Sequence, residues 1–209
     1  MSAQNPNTRL ETFCDGVIAI AITLLVIEIK VPKHEDVHTV AELWSVLAHK
    51  WPSYFAFILS FGTILVAWVN HHSLFKYLNK TSNKFIYANG LFLLSIVVLP
   101  FPTALMADFV DTEFYKPAII VYSFVSLFHN FCWIVLFKAT MTPKQLAIND
   151  LAVESLKDGL KYCYAGFVLY SLICLIAFWF PLVALGLTVL TWVSWTVIGV
   201  VFYKEVTEL

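Results

Sequence analysis

Three ionisable side chains, Arg9, Glu11 and Asp15, open an otherwise apolar run, and a polar cluster, WVNHHSLF from Trp68 to Phe75, closes another. Residues of these types can bind a metal, relay a proton or pair with one another. Metal ligation needs side chains that converge. His71 and His72 are neighbours, so on a helix they project about 100° apart, and His129, the nearest third ligand by type, falls near the middle of a different apolar segment. No H-E-x-x-H occurs, and no metal site is expected. The four cysteines, Cys14, Cys132, Cys163 and Cys174, lie inside apolar segments without C-x-x-C spacing, so they are expected to pack as small hydrophobes. Of the polar residues only His129 and Asn130 lie at a depth where a membrane enzyme could gather a catalytic set. Neither an enzyme nor a cofactor is expected.

The elements that must position these groups can be read from composition. Of 209 residues 60% are hydrophobic and 13% charged, against about 25% charged in an ordinary soluble domain. Several apolar runs reach the roughly 20 residues that a helix needs to cross about 30 Å of hydrocarbon. The expected architecture is an all-α integral membrane protein, a single domain over residues 1–209 with six spanning helices. The spans are expected near Arg9–Val31, Trp51–His72, Phe85–Met106, Lys116–Phe137, Tyr162–Phe180 and Leu182–Tyr203. Pro100 and Pro102 kink the third, and Phe180-Pro181 forces a tight hairpin between the last two. Between the first two spans, VHTVAELWSVL reads as a short amphipathic interfacial helix, and Thr142-Pro143 reads as a helix start in the longest polar connection.

The net charge of −1, with one Arg and 12 Lys scattered between segments, leaves no footprint for nucleic acid. The basic residues do set topology. With the N-terminus inside, nine of them fall on the inner side (Arg9, Lys76, Lys80, Lys84, Lys138, Lys144, Lys157, Lys161, Lys204) and four outside (Lys30, Lys33, Lys50, Lys116). Both termini are therefore expected to be cytoplasmic.

Advanced at about 100° per residue, Arg9, Phe13, Gly16, Ile20, Thr23, Leu24 and Ile27 fall on one stripe of the first segment. Two readings stay open: a plain packing face, or a face turned to a symmetry axis that stacks rings of Ile20, Thr23, Leu24 and Ile27. Asp15 lies roughly 120° away, towards neighbouring helices. Arg9 and Asp15 are expensive near a bilayer unless paired. The candidate partners of Asp15 are Trp68, Asn70, His71, His72 and Asn89, in a structural network in preference to a proton relay.

RLETFCD and the adjoining GVIAIAITLLVIEI resemble the first helix of the transmembrane protein 175 family of potassium channels, which carries R-x-x-x-F-S-D. The match covers Arg9, Phe13 and Asp15, with Cys14 in place of the family's serine, and Trp68 to Phe75 is similar to the stretch at the end of that family's second helix. The resemblance implies a homotetramer in the bilayer of a prokaryotic plasma membrane, with the first helix lining a central pore. It implies a K⁺-selective, voltage-insensitive leak without a carbonyl filter, the hydrophobic constriction at Ile20, a polar layer at Thr23 and further apolar rings at Leu24 and Ile27. It implies a structural motif network of Arg9, Phe13, Cys14, Asp15, Trp68, Asn70, His71 and His72, and no cofactor besides the permeant K⁺. The sequence has no T-V-G-Y-G run. A secondary transporter is the competing class; it would show broken helices at mid-membrane and an internal repeat. Lys30, near the outer end of the stripe, must either snorkel outward or pair with an acid of the next loop.

Overall fold

A computed structural model describes residues 7–141 and 146–201. The Thr142-Pro143 helix start, Lys144, Lys204 and the end of the last expected span lie outside them.

The described residues form eight α-helices: α1 (Thr8–Leu24), α2 (Val40–His49), α3 (Trp51–Lys76), α4 (Asn83–Val97), α5 (Pro100–Phe109), α6 (Tyr115–Thr140), α7 (Asp150–Ala177) and α8 (Pro181–Val201). Five stretches are long and apolar enough to cross a membrane: Thr8–Glu28, Trp51–Lys76, Asn83–Phe109, Tyr115–Thr140 and Asp150–Ala177, with Pro181–Val197 as a shorter apolar helix. The third combines α4 and α5. Pro100 has no N–H to donate, and around it the ladder slips to closer bonds, Leu99 N–H to Ile96 O and Phe101 N–H to Val98 O, each 3.1 Å. The kink is therefore where the prolines place it.

Two boundaries differ from expectation. The first segment leaves the α-helix at Leu24, turns through a 3₁₀ stretch over Leu25–Glu28 and is non-helical from Ile29, before Pro32 is reached. Thr23 donates its hydroxyl back to Ile20 O at 2.8 Å, a local bond that competes with the ladder, and β-branched Val26 and Ile27 come next. At the other end of the chain α7 begins at Asp150, well before Tyr162. Asn149 caps it by accepting from Ala152 N–H at 2.8 Å, and Ala152 and Leu156 are buried while Glu154 and Lys157 are not. That first part is an amphipathic extension beyond the bilayer: 28 residues make about 42 Å of helix, which exceeds the hydrocarbon thickness of about 30 Å. Hydropathy registers only the apolar remainder.

The expected amphipathic helix is α2, started by a capping box in which Thr39 accepts from Glu42 N–H and Glu42 accepts from Thr39 N–H.

Packing is organised around α6, which touches α4, α5, α7 and α8, while α1 lies at one side against α3 and α4. One core joins Cys14, Ile18, Phe85, Phe92, Ile96 and Leu136; a second joins Leu59, Met106, Ile119 and Ala184. Between α3, α5 and α6 a hydroxyl cluster satisfies itself, Ser60 Oγ standing 2.6 Å from Thr103 Oγ1 and 3.2 Å from Tyr122 Oη.

The connections sort to two ends. At one end Asn7 Nδ2 donates to Leu78 O at 2.8 Å, and the turn after α3 pairs with the chain before α7, Asn79 N–H to Leu146 O and Ile148 N–H to Tyr77 O, each 3.0 Å. At the opposite end Lys30 meets Asp108 at 3.8 Å. Lys30 is thus paired, with an acid at the end of α5 and not in the loop next to it in the chain.

Candidate functional site

The start of α1 is fixed by side chains one turn apart on two antiparallel helices. Glu11 and Asp15 stand at i, i+4 on α1, and Trp68 and His72 stand at i, i+4 on α3, so the two rows face each other turn for turn. Trp68 Nε1 donates to Asp15 Oδ1 at 2.9 Å and His72 Nδ1 lies 3.0 Å from Glu11 Oε1, while the Trp68 and His72 rings stack at 6.1 Å. Of the candidate partners for Asp15, Trp68 is the one it has. Glu11 is a member of the site that the motif does not include, although its spacing to Asp15, equal to that of Trp68 to His72, is the signal for it.

A second tie joins α1, α3 and α4 through Asn89. Its Oδ1 lies 2.7 Å from His71 Nε2 and 3.7 Å from Cys14 Sγ. A carbonyl oxygen accepts, so His71 carries its proton on Nε2 and the thiol donates as the family's serine would, only more weakly. His71 is fully buried, stacked on Phe92 at 5.0 Å, and its Nδ1 has no partner among the described residues. Asn89 therefore serves Cys14 and His71, not Asp15.

Three residues of the expected network are not in it. Arg9 and Phe13 are exposed, and Asn70 is half-buried without a hydrogen bond among the described residues. The expectation that Arg9 anchors α1 is corrected: it lies on the stripe that faces away from α3 and α4, out of reach of their acceptors. His129 is far from the cluster. Trp133 Nε1, which can only donate, bonds His129 Nε2 at 3.1 Å, so the proton sits on Nδ1 and goes to Ser95 Oγ at 2.9 Å; Ser95 then donates to Phe92 O at 2.6 Å. Every polar atom of that ring is used in holding α4 to α6. Among the described residues no three His, Cys, Asp or Glu side chains gather as a ligand set.

The stripe is the part of α1 that the chain does not cover. Phe13 is 61% exposed, Ile20 62% and Ile27 64%, while Cys14, Ile18, Ala21 and Leu25 behind them are at most 2% exposed. A packing face inside the chain is thereby ruled out. A side chain at Gly16 would meet nothing within 4 Å. The order Arg9, Phe13, Gly16, Ile20, Thr23, Ile27 alternates steps of four and three, the seam spacing of helices that wind about a common axis. Two details sharpen its outer half. The 3₁₀ turn advances about 120° per residue, which carries Ile27 directly over Leu24. Thr23, exposed, has its proton committed to Ile20 O, so the oxygen presents lone pairs outward, as a cation ligand must.

This geometry has counterparts among known proteins. The family model described as "Endosomal/lysosomal potassium channel TMEM175" matches residues 9–100. A potassium channel of Chamaesiphon minutus is 49% identical over 124 residues, 59% of this chain and 61% of that protein, and one of Streptomyces collinus is 41% identical over 109 residues, 52% of each. These two matches thus span less than two thirds of either relative. Solved structures extend the likeness. The crystal structure described as a lysosomal potassium-selective channel TMEM175 homolog from Chamaesiphon minutus superposes with a TM-score of 0.83 at 36% identity, covering 94% of this chain and 99% of that one. A variant of the potassium channel MtTMEM175, at 20% identity and a TM-score of 0.64 over 97% of this chain and 94% of that one, shares the fold. Matched over nearly its whole length by one solved homolog and through its first helices by the family model, the chain belongs to the TMEM175 family, a family of ion channels and not of enzymes.

Proposed function

We propose that this protein is a potassium-selective leak channel, a homotetramer in a prokaryotic plasma membrane whose pore is lined by four copies of α1. The observation that carries this is the exposed stripe itself: a helix locked on one face by Asp15, Glu11 and Cys14 offers its other face, with one outward hydroxyl, to something outside the chain. Named relatives described as potassium channels supply the ion. Six spans, counting α8, put both termini on one side, and the excess of lysine there makes that side cytoplasmic.

The mechanism rests on the order of the rings. Four Ile20 side chains around an axis close far enough to expel water, which makes a gate, and when parted they admit an ion only after it sheds part of its hydration. About 4.5 Å further along the helix the Thr23 oxygens replace part of the lost water. K⁺ holds its shell more loosely than Na⁺, so partial dehydration and then weak oxygen coordination favour K⁺, with no carbonyl filter needed. Leu24 and Ile27, superposed by the 3₁₀ turn, continue the apolar wall outward. No cofactor is required, since the reaction is transit. Reversal potentials under opposed K⁺ and Na⁺ gradients test the assignment. Ile20→Asn is expected to raise conductance and lower the K⁺ preference, and Thr23→Ala to lower the preference with less change in conductance. Unchanged permeability ratios in both variants would reject α1 as the pore helix.

A further inference from the structure

We propose that Arg9 sets the direction in which this channel passes current more easily, by placing a ring of positive charge at the inner mouth; the proposal rests on the pore reading of α1. Arg9 is the only arginine in the chain, and it is exposed on the same stripe as Ile20, 11 residues and about 16 Å inward of it. Its acidic neighbours do not neutralise it. Glu11 is engaged by His72 at 3.0 Å and Asp15 by Trp68 at 2.9 Å, so both carboxylates are turned to α3 while the guanidinium is turned away. Arg9 has no hydrogen bond or ion pair among the described residues, and Lys76, Lys80 and Lys84, exposed at the same end, add the same sign.

The outer mouth is different. Lys30, the basic residue that continues the stripe there, is held at 3.8 Å by Asp108, with Asp111 and Glu113 close behind in the chain. Helix α1 therefore segregates charge by end and by side: cation-repelling at the inner entrance, neutral to negative at the outer one. Four guanidiniums around an inner entrance lower the local K⁺ concentration, and the rate of entry falls with it. Entry from outside is not penalised. In equal K⁺ on both sides, inward current should exceed outward current at matched voltages.

Salt supplies the diagnostic, because the Debye length shrinks from about 10 Å at 0.1 M to about 3 Å at 1 M. Patch recording from cells keeps one orientation and reads the effect directly. In symmetrical KCl of about 0.05 M the inward current is expected to exceed the outward by about threefold, and the ratio to approach one near 1 M. Arg9→Lys should keep the asymmetry, Arg9→Gln should remove it, and Arg9→Glu should invert it. Arg9→Glu that conducts with unchanged asymmetry, or a parent channel that is symmetrical at low salt, overturns the proposal. Should Arg9→Glu not reach the membrane, Arg9→Gln against Arg9→Lys at low salt decides. Ile20→Asn, recorded alongside, separates the two failures: if it changes conductance while the Arg9 variants leave the asymmetry alone, only the charge ring is wrong, and if it changes nothing the pore assignment falls with it.

Discussion

The two faces of α1 differ in kind as well as in burial. On the face turned to α3 and α4, each polar group meets a partner: Asp15 has the Trp68 indole, Glu11 has His72 and Cys14 has Asn89. On the opposite face Arg9 is unpaired among the described residues and Thr23 bonds only its own helix, leaving oxygen lone pairs directed outward. Membrane packing lacks the hydrophobic drive that water supplies, so helix association depends on contact and on hydrogen bonds. A helix can thus be held by a few of these on one side and stay available on the other. The fixed side makes the free side useful, because rings of Ile20 and Thr23 act as gate and ligand only if their helix cannot roll.

Substitutions on the two sides should separate stability from conduction. Asn89→Leu should be the most damaging, since it strands His71 and Cys14 in a buried site; a loss of about 2–3 kcal/mol is expected, read as a lower melting temperature in detergent. Ile18→Ala opens a cavity on the packed face and should cost about 1–3 kcal/mol, whereas Ile20→Ala should leave stability within about 0.5 kcal/mol while changing conductance. If the two alanine variants melt alike, the contrast between the faces is lost. Trp68→Phe removes one donor from Asp15 and should cost about 1 kcal/mol, with its effect on current arising from a loosened α1. The smallest change is expected for Cys14→Ser, under about 1 kcal/mol, because the hydroxyl donates to the same Asn89 oxygen that the thiol uses. A large loss there would mean that the size of sulfur matters more than its proton.

The segments, the proline kink, the amphipathic helix and the motif residues around Asp15 and Trp68 are legible from residue order. The helix-wheel stripe is legible too, but not which way it faces. Arg9 and Asp15 look equivalent as charges in need of partners; only the neighbours of α1 separate them, since Asp15 points at α3 and Arg9 does not. The extension of α7 is hidden because its turns outside the bilayer are polar, and the early end of α1 because Thr23 bonds back to its own helix.

What the sequence by itself determined is the class and the face: the bilayer admits apolar runs of a certain length, and helical geometry assigns Phe13, Ile20, Thr23 and Ile27 to one side of the first of them. What only the tertiary structure decided is who meets whom. Asp15 finds Trp68 across 53 residues, Glu11 finds His72 across 61 and Cys14 finds Asn89 across 75. Such pairings depend on which helices lie side by side, and no local pattern carries that information. The same arrangement leaves Ile20, Thr23 and Arg9 uncovered, because α3 and α4 can pack against only one side of α1.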